Sequence, residues 1–208
     1  HQTLGSCITI NSDHYCKHGG MNTKKAGEDF YFLNKIVRKP GFAEIHEALV
    51  YPAARTSDRV PFGTGRALIG YQVDKENILS AYNPLIFEDI KTFMTRLPRI
   101  IQGQSPNLPA AIQKFLNAVD FYQKLDKLLK NSRNLTSFYK QFYDWFDYFM
   151  ILKMIHFSRD HAHTNIPLEA GLSHLNKNYW KIASFNTLTP QDQLIKIRAL
   201  NRLGQTSL

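Results

Sequence analysis

Apolar positions change their period near the middle of this 208-residue chain. The first stretch, to about residue 80, mixes short alternating runs with glycines and turns. Ser6 to Ile10 alternates and carries β-branched residues, which predicts a strand. Ser12 is placed to cap a short helix over 13–17, and Gly19-Gly20 ends it, because glycine accepts the left-handed conformation at a helix end. A polar loop leads to Gly27. From Glu28 to Arg38 the pattern turns helical, with Phe30, Leu33 and Val37 on one face, and Pro40-Gly41 stops it. Residues 42–45 and 48–51 read as two short strands or one bent strand, followed by a charged, glycine-rich loop over 52–65.

From residue 84 onward the spacing is helical throughout. Asn83-Pro84 is a cap followed by proline at the first helical position. Ile86, Ile90, Phe93 and Leu97 then form an apolar stripe. Asn107-Leu108-Pro109 opens a second helix, with Ile112, Phe115, Leu116, Val119, Tyr122, Leu125 and Leu129 inward. A third is predicted over 135–157, with Phe138, Phe142, Trp145, Phe149 and Leu152 inward. Thr189-Pro190 opens a last one that ends near Leu203-Gly204. The pattern divides the chain into residues 1–80, of α/β character, and residues 81–208, a helical region.

Composition supports a folded core: 43% of residues are hydrophobic and 12% aromatic, which argues against a disordered chain. The most apolar run, Phe142 to Phe157, contains Asp144, Asp147 and Lys153, so it reads as a buried or amphipathic helix, and no membrane span is predicted. The N-terminus has neither the basic start nor the apolar core of a secretory signal, and it lacks an initiator Met, so the expectation is a piece of a larger gene product. Cys7 and Cys16 are expected to be reduced, buried thiols. The net charge is +9, but the basic residues are dispersed and no nucleic-acid motif accompanies them. Anionic substrates, nucleotide diphosphates or anionic lipid suit that charge equally well, and nucleic acid is not expected as a partner.

Two segments carry candidate chemistry. Glu28-Asp29 follows a glycine at a helix start, where exposed amides and the helix dipole favour carboxylates. Arg55 to Gly65 holds Arg55, Asp58, Arg59, hydroxyl groups, and the run Gly63-Thr64-Gly65. Glycines permit close backbone approach to a ligand, and arginines suit bidentate contacts to phosphate or carboxylate. Gly63-Thr64-Gly65 by itself is not a dinucleotide fingerprint. His161-Ala162-His163, with His156 and His174, forms a further group that could bear on a metal-dependent hydrolase.

Taken in order, Gly19-Gly20-Met21, Gly27-Glu28-Asp29-Phe30-Tyr31-Phe32, Lys39-Pro40-Gly41-Phe42 and Ala48-Leu49-Val50-Tyr51-Pro52 resemble family 2 inverting glycosyltransferases of the GT-A fold. The resemblance covers roughly residues 3–70. It implies an α/β partial GT-A-type domain, its C-terminal half, followed by a mostly α-helical region. It also implies sugar transfer from a nucleotide-sugar donor to a hydroxyl acceptor with inversion. Asp29 would be the general base and Glu28 would orient the acceptor or the base. Gly19, Gly20, Arg55, Asp58, Arg59, Gly63, Thr64, Gly65 and Arg66 would bind substrate, the arginines assisting the leaving diphosphate.

The chain departs from the family in lacking an Asp-x-Asp motif and the nucleotide-binding β-α-β units. Both are expected upstream, so this piece is expected to be inactive alone. The divalent metal, Mn or Mg, is expected in the full-length enzyme and not on this piece. Bacterial members build surface polysaccharides in the cytoplasm at the inner face of the membrane, and the resemblance extends that location and a peripheral membrane contact to this chain. The alternative reading is a non-catalytic helical interaction module that retains part of a transferase domain.

Overall fold

The computed structural model describes residues 8–23, 27–37, 39–43, 45, 49–51, 53, 55–56, 65, 68–70 and 80–202. Its contacts divide the chain into two units, His1–Ile78 and Leu79–Leu208.

In the first unit the described elements are helical. Asn11, not Ser12, caps the helix Ser12–Lys17, its side chain accepting from the Asp13 amide at 2.8 Å. The helix Glu28–Ile36 follows Gly27, which sits at φ +74°. Its inward residues are Phe32 and Leu33; Phe30 and Val37, expected on that face, are half-buried. The α/β reading of the fold is corrected here. The described residues are mostly helical, and they contain one two-stranded ladder, Ser80–Ala81 antiparallel to Ile166–Pro167, which belongs to the second unit. Ile8 to Ile10 and the described parts of 42–51 form no ladder. A β-branched run makes extended backbone favourable, but a strand exists only where a neighbour completes its hydrogen bonds. Among the described residues none does so for these segments.

The second unit is a helical assembly with one aromatic core. Asn83 caps the helix Pro84–Ile101 through the Leu85 amide, and Ile86, Phe93 and Leu97 are buried on its inner side. The long helix expected from residue 108 is two helices, Ala110–Ala118 and Phe121–Lys130, broken at Asp120 with φ +51°. On an unbroken helix Phe121 would stand about 140° from Leu116, off the apolar stripe. The left-handed turn brings Phe121 to full burial, in ring contact with Phe93, Phe142, Trp145 and Phe146. The helix expected over 135–157 is likewise two, Leu135–Trp145 and Tyr148–His161. Asp147 caps the second, accepting from the Phe149 and Met150 amides at 2.9 and 3.1 Å. Beyond it lie the helix Leu168–Leu175, a π-helical turn Asn176–Trp180 and the helix Pro190–Arg202.

Candidate active site

The first turn of Glu28–Ile36 presents backbone amides with no intrahelical partner. Gly27 enters in the left-handed region and contributes no side-chain cap, so the donors fall to the residues of the turn itself. Asp29 Oδ1 accepts from the Phe30 amide at 2.7 Å. That bond fixes one oxygen of the carboxylate and satisfies one orphan donor. No described group bonds to the other oxygen, and Glu28 and Asp29 are both half-buried. The arrangement is a carboxylate held by one oxygen at the mouth of a helix.

The Gly19-Gly20-Met21 turn leads toward this helix, and a residue that sequence reasoning passed over shapes it. Tyr15 lies across Gly20, its ring near enough that a Cβ at Gly20 would come within 2.8 Å of it. Its hydroxyl accepts from the Met21 amide at 3.0 Å, and its ring meets Phe32 at 5.2 Å between centroids. Lys35 Nζ donates to the Gly20 carbonyl at 3.4 Å. Gly20 is therefore buried under Tyr15, and its glycine identity follows from that contact and from φ +58°. Gly19, at φ +71°, is exposed with open space around it. No signal in the sequence distinguishes Tyr15 from a core aromatic, since the contact depends on how the turn folds back.

The arginine-rich loop contributes less. Arg55 is exposed and forms no ion pair with a described residue, and Gly65 is helical and half-buried. Asp58, Arg59, Gly63, Thr64 and Arg66 lie outside the described residues, as does Cys7. Cys16 is an exposed free thiol, which corrects the expectation that it is buried.

The histidines of the second unit tie its elements together. His156 Nε2 meets the Tyr82 hydroxyl at 2.9 Å, and His163 Nε2 meets Asp89 Oδ2 at 3.0 Å. His161 instead stacks on Phe157 and contacts its carbonyl at 2.8 Å. His161 and His163 thus turn to different partners and do not converge on one ligand, as the hydrolase reading requires. The Tyr179 hydroxyl donates to Glu88 Oε1. That bond, then burial and the Glu88 charge, hold the Tyr179 phenol above its ordinary value. Arg159 grips Asp160 through two hydrogen bonds and holds that carboxyl below its ordinary value.

Among the described residues no group of three His, Cys, Asp or Glu side chains is disposed to hold a metal. No helix among the described residues is long and apolar enough to cross a membrane. Comparison with protein-family models, curated proteins and solved structures finds no match to this chain.

Proposed function

We propose that this chain is the acceptor-side part of an inverting glycosyltransferase that uses a nucleotide-sugar donor, with Asp29 as general base. The observation that carries the reading is the Asp29 carboxylate, anchored by Oδ1 on the Phe30 amide and unbonded to any described group at Oδ2. An acceptor hydroxyl attacking an anomeric carbon must lose a proton as the new bond forms, and a positioned carboxylate takes it. Holding one oxygen on a backbone amide orients the other. Glu28, adjacent on the same turn, orients the acceptor. The donor half is supplied by another part of the full-length protein, so the piece alone is inactive.

The experiment is Asp29→Asn in the full-length protein, assayed by release of nucleoside diphosphate from a panel of UDP- and GDP-sugars with acceptor present. The expected loss in kcat is about 10²- to 10⁴-fold, with donor binding unchanged. Sugar transfer retained in a Glu28→Ala/Asp29→Ala protein sinks the assignment. It favours the second reading, a non-catalytic helical interaction module, which is supported by the separate aromatic core of residues 79–208.

A further inference from the structure

Three histidines of the second unit spend a ring nitrogen on a protein partner: His156 on Tyr82, His163 on Asp89 and His161 on the Phe157 carbonyl. In the first unit His14 and His18 do not. Neither side chain forms a hydrogen bond or ion pair with a described residue. Their ring centroids lie 6.1 Å apart. His14 is exposed and His18 half-buried.

The backbone brings these two rings together. His14 lies in the helix Ser12–Lys17, and His18 is its C-cap, with its amide on the His14 carbonyl at 3.2 Å. Four residues advance a helix by about 400°, so the two side chains leave the same face one turn apart. The free thiol of Cys16, two residues from each, leaves about 200° away on the opposite face. The helix itself is pinned. Asn11 caps its start, and Tyr15 is held by Phe32 and by the Met21 amide. The turn at Gly41 passes beside His14, a Cβ there reaching 3.7 Å from Cε1, which is ordinary contact and leaves the ring room to rotate.

We propose that His14 and His18 form a two-histidine clamp for a late first-row divalent ion, Zn(II) or Ni(II), with water completing its shell. Imidazole suits these ions. Metal–nitrogen bonds of about 2.0–2.1 Å are within reach of two rings one helical turn apart. Paired histidines at i and i+4 on one helix face are a known arrangement for holding zinc. Mg(II) and Mn(II) prefer oxygen ligands, so the clamp is distinct from the metal expected upstream in the transferase. It also stands independently of the role of Asp29. An ion here ties the helix to its own C-cap, directly before the Gly19-Gly20-Met21 turn, and stabilises the first unit by mass action.

Calorimetric titration of the 208-residue chain with zinc chloride, and separately with nickel chloride, tests it. The expected result is one bound equivalent that His14→Ala and His18→Ala each remove, with circular dichroism unchanged. Magnesium chloride gives no binding. Mildly acidic buffer weakens the zinc site, since ligation requires the neutral ring. Zinc raises the thermal midpoint of the parent chain and of His161→Ala/His163→Ala, and fails to raise it in either single variant. Absence of binding by the parent chain, or an equivalent kept by both single variants, overturns the proposal. Loss of the equivalent in Cys7→Ser/Cys16→Ser places the ion on thiol and overturns it equally.

Discussion

At Gly20 two demands meet in one residue. Its φ is +58°, a region where a side chain is strained, and a Cβ there would lie 2.8 Å from Tyr15 Cε1. Gly20→Ala is expected to destabilise the first unit by about 1–3 kcal/mol, read as a lowered thermal midpoint. Gly19→Ala meets no atom within 4 Å, so it is expected to cost about 1 kcal/mol for its backbone alone. The difference between the two measures the Tyr15 contact. Both glycines were legible in the sequence as a helix terminus, from composition and position. Which of them is glycine for lack of room was not legible, because the crowding atom belongs to a ring folded back over the turn. Asp29 shows the same division. Its place at a helix start follows from Gly27 and the apolar spacing, while the commitment of one oxygen to the Phe30 amide is a matter of geometry.

At the scale of elements, the second unit joins its helices through polar contacts from distant parts of the chain. Tyr179, on the π-helical turn, binds Glu88 on Pro84–Ile101. Because that hydrogen bond raises the Tyr179 phenol in the folded state, the unfolded chain loses the proton first as pH climbs. The stability it contributes is therefore complete below the ordinary tyrosine range and declines as pH rises through that range and above it. Tyr179→Phe is expected to flatten this alkaline decline in a series of urea titrations at increasing pH; an identical slope in both proteins rejects the linkage. Caps and stripes made most of these helices legible: Asn83-Pro84, Thr189-Pro190 and the Ile86–Phe93–Leu97 spacing all act within a few residues. The breaks at Asp120 and Asp147 escaped the same reasoning. Apolar residues run through both, and the chain bends there because bending buries Phe121 and Phe146.

For the whole molecule, the aromatic cluster centred on Phe121 and Phe142 lies entirely within residues 79–208. A domain with its own core folds by itself, so a protein comprising residues 79–208 is expected to unfold in one cooperative transition. A broad, non-cooperative melt of that piece, monitored by circular dichroism, counts against it. By itself the sequence determined the helical second region, the inward positions of Phe93, Phe115, Phe138 and Phe142, and the carboxylate pair at a helix start, whereas Tyr122, expected inward, is 38% exposed. Each rests on periodicity or capping, which act over one or two turns of chain. Only the tertiary structure decided that residues 8–10 and the described parts of 42–51 pair with no described strand, that Tyr15 closes over Gly20, and that Leu194 and Ile195 face outward while Gln193 is buried. Those outcomes depend on contacts between residues far apart in sequence, where each side chain's environment is set by what packs against it and not by its neighbours along the chain.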